Sequence, residues 1–149
     1  TILSPDQGAV KRASDFCKAF PDCTFAMINK KRIKPNEIHS MELVGDVKDR
    51  NVVIVDDMAD TLGTLKKASE LIMEKGAKSV RAMATHAVFS GVAYENIEKS
   101  QISEVIETDT IPVKTELSSK IKVLSCAALF ADVMKMVHEH KSISDKFII

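Results

Sequence analysis

The chain lacks a net charge, a metal-type cysteine pattern and a long apolar run, and each absence excludes a class of protein. Lysine plus arginine equals aspartate plus glutamate at 21 each, so no global field attracts nucleic acid, and any anion site must be local. Cys17, Cys23 and Cys126 have no metal-ligand spacing, which predicts free thiols in a reducing compartment. No apolar run approaches the roughly 20 residues that span a bilayer. We expect a cytoplasmic protein that binds small molecules or protein, with no nucleic acid and no membrane.

What the chain does contain predicts one ordinary globular domain. Its 149 residues are 45% hydrophobic and 28% charged, a balance that can bury one core. The chain begins at Thr1 without methionine, and Ile2 and Leu3 look like the end of a strand. We therefore expect it to be part of a longer protein.

Apolar strand-like runs alternate with segments of helical spacing. The runs lie at 24–28, 51–55, 79–84, 104–107 and 120–124. Alternation of this kind predicts an α/β fold, a doubly wound, mainly parallel sheet flanked by helices. The segment 30–42 has neither period and is predicted to be a long loop.

Three helices are predicted from their apolar spacing. The first covers 5–18, with Val10, Ala13, Phe16 and Cys17 roughly on one face. The second places Leu65, Ala68, Leu71 and Ile72 on one face and ends at Gly76. The third covers 126–140, and its apolar residues are expected to point inward; they are Ala127, Phe130, Ala131, Met134 and Val137.

Residues 52–64, VVIVDDMADTLGT, predict a phosphosugar site. Four aliphatic residues suit a strand buried on both faces, and ligands bind at the carboxyl ends of such strands. Asp56 and Asp57 follow the run directly and are expected at the strand tip. A turn of threonine and glycine then opens a helix, whose free N–H groups attract phosphate. The simpler alternative is that the two aspartates only cap a helix.

This stretch closely resembles the 5-phosphoribosyl 1-diphosphate (PRPP) motif of the type I phosphoribosyltransferases and the ribose-phosphate diphosphokinases. The resemblance implies that Asp56 and Asp57 meet the ribose hydroxyls. It also implies that the following turn holds the 5-phosphate. The residues of that turn are Asp60, Thr61, Gly63 and Thr64.

Four cations lie close together in the segment 30–36, KKRIKPN. A solvated charge run is the simpler explanation. The position just before the PRPP motif, however, resembles the flexible catalytic loop of ribose-phosphate diphosphokinases, and ordinary phosphoribosyltransferases have no counterpart there. The resemblance implies that Lys30 and Arg32 are cations that act at the transition state. Asn29 and Ile33 depart from residues common in that family.

The opening segment SPDQGAVKRA resembles the family's SPDxGG segment and the KRA start of its helix. A plain strand-turn-helix junction is the alternative. The resemblance implies that Asp6 lies near a Mg²⁺ ion and the diphosphate. Ala9 stands where a second glycine is common. Residues 84–91 and 108–112 also resemble family segments, and His86 is expected to orient or pack rather than act as a base.

Near the end, SISDKF resembles the family's terminal SVSxLF. That stretch helps to form a regulatory nucleotide and phosphate site between subunits, which implicates Ser142, Ser144 and Phe147. Helix-capping serines are the alternative.

Together, the resemblances predict that residues 1–149 are the C-terminal, ribose 5-phosphate-binding domain of a two-domain ribose-phosphate diphosphokinase. The implied substrates are ATP and ribose 5-phosphate, the implied products PRPP and AMP, and the implied parent a homo-oligomer with an N-terminal domain that is missing here. The chain alone is expected to be inactive. Two alternatives remain, a phosphoribosyltransferase and a catalytically silent regulatory subunit. Leu62 also departs from the family pattern.

Overall fold

A seven-stranded sheet with flanking helices forms the molecule. The computed structural model describes residues 1–34 and 37–147, and it describes only the backbone of 31–34 and 37–39. The strands run in the order β3-β2-β1-β4-β5-β6-β7, and every neighbouring pair is parallel except β2 with β3. The predicted doubly wound, mainly parallel α/β fold is confirmed. The elements are β1 Ile2–Ser4, α1 Val10–Lys18, β2 Phe25–Lys34, β3 Glu37–Val44, β4 Asn51–Ala59, α2 Gly63–Glu74, β5 Ser79–Ala87, α3 Ala93–Lys99, β6 Ile102–Thr108, β7 Ile121–Leu124 and α4 Ala127–His138.

The short strand β1 lies in the middle of the sheet and determines where ligands can enter. Ile2 pairs with Phe25 of β2 on one side, and Leu3 pairs with Ile54 of β4 on the other. The strand order reverses between β1 and β4. In open α/β sheets this reversal leaves a crevice outside the carboxyl ends of the strands, where ligands bind.

The two faces of the sheet bury different helices. Successive side chains of β4 point to opposite faces, so Ile54 joins the larger core with α2 and α3, whereas Val55 joins a smaller core with α1. The apolar stripe predicted for α2 is confirmed, because Leu65, Ala68 and Ile72 are buried. The predicted face of α1 is confirmed through Ala13 and Cys17, although the helix begins at Val10 rather than at residue 5.

The predicted long loop at 30–42 is wrong, because most of this segment forms an antiparallel hairpin. Lys30 pairs with Met41, and Arg32 pairs with Ile38 across a register shift. β1 pairs only with Phe25–Met27, so the rest of β2 pairs with β3 alone. The sequence shows no strand period here because four of the five residues at 30–34, KKRIK, are charged, so apolar and polar residues do not alternate. Pro35 and Asn36 lie outside the described residues.

The expectation that α4 points its apolar residues inward is also wrong. No residue of α4 is buried, and Phe130, Met134 and Val137 are 56%, 69% and 56% exposed. The predicted helix is present, but helical spacing shows only that one face of α4 is apolar and not which surface covers that face. No helix in the described part of the chain has the length and hydropathy of a membrane span.

The prediction of free thiols is wrong for two of the three cysteines. Cys17 and Cys23 form a disulfide with Cα atoms 5.7 Å apart, and Cys126 is free. Cys17 lies in the last turn of α1. Asp22, at a positive φ of 61°, turns the chain back so that Cys23 reaches it. The pairing depends on this turn, which the spacing of the cysteines does not reveal.

Two glycines with positive φ provide a matched test of the fold. At Gly45 (φ +106°), a Cβ atom would lie 2.9 Å from Cα and Cβ of Ala26, whereas at Gly91 (φ +56°) it would meet nothing within 4 Å. Gly91→Ala should cost about 1 kcal/mol of unfolding free energy for the left-handed backbone. Gly45→Ala should cost roughly 2–4 kcal/mol, because backbone strain and overlap add. Urea unfolding measures both, and equal losses would contradict the close packing of β2 against Gly45.

Candidate functional site

The strand reversal between β1 and β4 brings distant segments to one cleft. Asp6 lies two residues after β1, Lys30 lies in β2, and Asp56 lies near the end of β4. These side chains line a cleft of about 170 Å³, together with the turn that leads into α2. The predicted site residues in its wall are Asp6, Lys30, Asp56, Asp60, Thr61 and Thr64.

The two adjacent aspartates lie inside β4 rather than after it, because the strand continues to Ala59. Their side chains therefore point to opposite faces of the sheet. Asp56 is on the side of the cleft, and Asp57 is on the side of α1. Arg12 of α1 reaches both carboxylates, at 3.5 Å to Asp56 Oδ1 and 2.8 Å to Asp57 Oδ2. One arginine thus holds the carboxylate pair in place.

The carboxyl groups of this pair have different proton affinities. Burial, together with the charges of Asp57 and Asp6, raises the pKa of Asp56 to about 6. Burial also acts on Asp57, but its hydrogen bond with Asp56 and the charge of Arg12 outweigh that effect and lower its pKa. Asp57 is therefore ionised at neutral pH. Of the two carboxyl groups, Asp56 has the pKa nearer to neutral pH. A carboxyl of this kind can accept a hydrogen bond from a sugar hydroxyl or donate one.

Lys30 and Asp6 form an ion pair at the base of the cleft. Lys30 Nζ lies 3.1 Å from Asp6 Oδ2, and the lysine side chain is only 7% exposed. Burial acts to raise the pKa of Asp6, but the hydrogen bond and charge of Lys30 and the N–H groups of Ala9 and Gly8 together lower it. The Ala9 N–H donates to Asp6 at 3.2 Å, so a methyl at this departure from the family pattern leaves the turn intact.

The ion pair also borders a second hollow. This hollow has a volume of about 340 Å³ and is lined by Asp6, Gln7, Gly8 and Lys30. A larger hollow of about 470 Å³ lies along α1, and none of the predicted site residues whose side chains the structure describes lines it. Lys30 and Asp6 consequently stand between two spaces that each could hold one anionic ligand.

The turn before α2 exposes the start of the helix to the cleft. Leu62 has a left-handed backbone (φ +60°), and Gly63 is the first helical residue. Within the described residues no side chain caps α2, so its first N–H groups are available to an anion, which the helix dipole also favours. Leu62 is buried in the larger core, which offsets the strain of its backbone.

Two side chains hold this turn from behind, and the sequence did not reveal either role. Asn96 of α3 donates from Nδ2 to the carbonyl of Thr61 at 2.8 Å, and the Ser90 hydroxyl donates to Asp60. His86 Nδ1 lies 2.9 Å from the Thr110 hydroxyl oxygen, an orienting contact as expected. Arg12 was visible in the sequence only as part of the KRA segment. Such partners depend on tertiary placement and carry no local signal.

Some predicted site residues are not gathered at the cleft. The side chain of Arg32 lies outside the described residues. Ser142 and Ser144 lie beyond α4, where their hydroxyl oxygens are 2.9 Å apart and the Ser144 N–H donates to Ser142. These contacts form a local turn, and within the described residues no side chain caps the short 3-10 helix Ser144–Lys146 that follows. Phe147 is 60% exposed.

The carboxylates of the cleft have donor chemistry that suits the predicted Mg²⁺. In the part of the chain that the structure describes, no three His, Cys, Asp or Glu side chains are grouped to hold a metal. Mg²⁺ is usually held by one or two carboxylates plus substrate phosphates rather than by a protein cage. Asp6 is a carboxylate with a 40% exposed side chain at the edge of both hollows. The residues therefore fit an ion shared with a bound phosphate.

Comparison with known proteins places the chain in a family. The model of the phosphoribosyl synthetase-associated domain matches residues 7–148. A ribose-phosphate pyrophosphokinase of Wolinella succinogenes is 48% identical over 147 residues, covering 99% of this chain and 47% of that protein. Ribose-phosphate pyrophosphokinase 3 of Saccharomyces cerevisiae is 44% identical over 148 residues, covering 98% of this chain and 46% of that protein.

A solved structure agrees with the sequence relatives. The crystal structure of phosphoribosylpyrophosphate synthetase from Mycobacterium smegmatis matches with a TM-score of 0.84 at 36% identity, covering 93% of this chain and 45% of that one. The chain spans about half the length of the curated relatives that it matches. With a family model that covers nearly all of its residues, this chain belongs to the phosphoribosyl synthetase-associated domain family.

Proposed function

We propose that the chain is the ribose 5-phosphate-binding half of a ribose-phosphate diphosphokinase, which transfers diphosphate from ATP to ribose 5-phosphate and yields PRPP and AMP. The observation that carries the proposal is the cleft itself, where the Asp56 carboxyl lies beside the uncapped start of α2. A sugar phosphate needs both features, acceptors for its hydroxyls and N–H donors for its phosphate.

In the proposed reaction the anomeric hydroxyl of ribose 5-phosphate attacks the β-phosphorus of ATP, and AMP leaves. Asp56 and Asp57 bind ribose hydroxyls. The ion pair with Arg12 holds the Asp57 carboxylate in position. The turn of Asp60, Thr61, Gly63 and Thr64 holds the 5-phosphate. This binding fixes the nucleophile, and alignment of two reactants removes much of the entropic part of the barrier.

The second hollow is the proposed place of the ATP phosphates. Lys30 lies between this hollow and the sugar cleft, where charge develops on the transferred group. Preorganised cations at such a point stabilise the transition state. Arg32 is proposed as a second cation on the same ribbon. Mg²⁺, held by Asp6 together with the phosphates, would supply further positive charge.

The parent protein is proposed to have two domains, with this chain as its C-terminal half. The share of each relative that the chain covers supports a second domain. The exposed apolar side chains of α4 support it as well, since surfaces of this kind usually have a partner. We propose that the missing N-terminal domain completes the ATP site and that the parent is a cytoplasmic homo-oligomer. Ser142, Ser144 and Phe147 are proposed to contribute to a regulatory site between its subunits.

The two alternatives have less support. A phosphoribosyltransferase would bind PRPP in the same cleft, but the Lys30–Asp6 pair on an extended β2 ribbon matches the diphosphokinase resemblance instead. A silent subunit could lose its charged site residues without consequence. In this chain, Asp6, Lys30 and Asp56 are all present in one cleft.

Activity should require the missing domain. The chain alone should release AMP from ATP, Mg²⁺ and ribose 5-phosphate at near-background rates, and addition of the N-terminal half should restore turnover. A coupled AMP assay measures both conditions. Full turnover by the chain alone would contradict the division into halves, and no turnover in the complete parent would contradict the diphosphokinase.

Lys30 and Arg32 should act on rate more than on binding. In the complete parent, Lys30→Ala and Arg32→Ala should lower kcat strongly, by about 2.7–4 kcal/mol in the activation free energy if they resemble other transition-state donors. The KM for ribose 5-phosphate should change much less. Lys75→Ala, at the opposite end of α2, is the control. A loss of about tenfold or less in kcat, which corresponds to about 1.36 kcal/mol in the activation free energy, would contradict a role of these residues at the transition state.

Gly63 should matter to the ligand and not to the fold. A Cβ atom there would lie 3.8 Å from Asn96 Nδ2 and 3.9 Å from Thr61 Oγ1, which are ordinary contacts. Gly63→Ala should therefore unfold at the same urea concentration or slightly higher. Its affinity for ribose 5-phosphate should fall about tenfold or more, 1.4 kcal/mol, because the methyl blocks a close approach to the backbone. Calorimetric titration tests this, with Lys67→Ala as control; unchanged affinity would place the phosphate elsewhere.

A further inference from the structure

Glu107 is a buried acid that the proposed reaction does not use. It lies near the end of β6 and is 1% exposed. Within the described residues, both of its carboxyl oxygens are buried without a hydrogen-bond partner. Polar groups buried in this way are rare and usually have a functional or structural reason.

The sheet register places Glu107 in the same row as Asp56. Asp56 pairs with Ala84 of β5, and Met83 pairs with Ile106 of β6. One step further along the same parallel ladder brings Glu107 beside Ala84. Residues paired across a sheet point to the same face, and two strand spacings of about 4.8 Å separate the outer members of the row. Both carboxyl side chains can therefore lean toward each other over the small Ala84.

The charges around Glu107 leave Asp56 as its main electrostatic partner. On β5, Ala84 is the neighbour and His86 lies two residues further, bonded to Thr110. On β7 the partner of Glu107 is Val123, which is apolar. The pair of Arg81 with Glu104 lies on the opposite face, since Glu104 is an odd number of residues away.

The proton affinity of Glu107 agrees with this geometry. Burial, and secondarily the charge of Asp56, raises the pKa of Glu107 to about 8. The carboxyl is thus mainly neutral at pH 7 in the folded protein, whereas in an unfolded chain a glutamate titrates near 4.3. Stability from this group is present at low pH and is lost as the pH rises through about 8.

An acid is a poor choice for a purely structural role at this position. It bridges no described groups, and an apolar residue of similar volume would avoid the cost of burying an unpartnered polar group. What an acid adds is a charge that can appear or disappear beside the cleft. Any ligand that is itself anionic will respond to that charge.

We propose that Glu107 is a positioning residue that couples sugar-phosphate binding to a proton. While Glu107 is neutral, Asp56 can ionise and bind a sugar hydroxyl. When Glu107 is ionised, its negative charge repels both the Asp56 carboxylate and the phosphate. This coupling rests on the proposed function, since it takes the ligand to be a phosphosugar. Because linkage is reciprocal, the bound ligand must raise the proton affinity of Glu107, and binding near pH 8 takes up a proton.

Calorimetric titration with ribose 5-phosphate at about pH 7 and about pH 9.5 tests the coupling. The phosphate group stays doubly ionised over most of this range, since its second pKa is about 6. The wild-type chain should bind about tenfold more weakly at the higher pH, as expected if the ligand shifts the pKa of Glu107 by about one unit. Titrations in buffers of different ionisation enthalpy should also show proton uptake near pH 8.

Two variants of Glu107 and a matched control decide the result. Glu107→Gln should bind with nearly the same affinity at both pH values and without proton uptake. Glu107→Met serves the same purpose if the amide disturbs folding, which circular dichroism checks. Glu104→Gln removes an acid from the other face of β6 and should behave as wild type. Equal pH dependence in all variants would overturn this inference alone, whereas no binding by the wild type at pH 7 would overturn the proposed function as well.

Discussion

The parallel pairing of β1 with β4 is the constraint on which the site depends. Strand β1 has only three residues, yet it pairs with β2 and β4 and joins the two halves of the sheet. Because the strand order reverses there, the residues that follow β1 and those that end β4 share one crevice. Asp6 and Asp56, 50 positions apart in the chain, meet for this reason. A slip of one residue in this register would turn Asp56 to the other face of the sheet.

The same crevice collects more negative charge than positive. Asp6 and Asp56 line it, Asp57 follows on the other face of β4, and Lys30 and Arg12 are the described cationic partners of these three carboxylates. Burial, together with the neighbouring charges of Asp57 and Asp6, raises the pKa of Asp56 to about 6. Attraction for a phosphate must therefore come from the start of α2 and from Lys30 rather than from net charge.

Local patterns predicted the parts of the molecule that depend on neighbouring residues. The strand, carboxylates and turn of 52–64 could be read directly, because a buried strand and a helix start each have a short-range signature. The hairpin at 30–42 could not, since its first strand contains the charged run 30–34, KKRIK, in which apolar and polar residues do not alternate. The exposure of α4 could not be read either, because periodicity reveals an apolar stripe and not its cover.

The residues that sequence reasoning missed share one property. Arg12, Asn96 and Glu107 act through partners on other elements, at Asp57, Thr61 and, by register, Asp56. A single sequence contains no spacing that links such positions. Their roles emerge only when the sheet order and register are known. The disulfide between Cys17 and Cys23 depends in the same way on the turn at Asp22.

The central claim is that the crevice between β1 and β4 binds a phosphosugar at the start of α2. The most direct test is a titration of the ¹⁵N-labelled chain with ribose 5-phosphate, followed by nuclear magnetic resonance of the backbone amides. The account predicts that the largest shifts occur at Thr61, Leu62, Gly63 and Thr64, with smaller ones at Asp6 and Gly8. Shifts confined to α4, or none at saturating ligand, would contradict it.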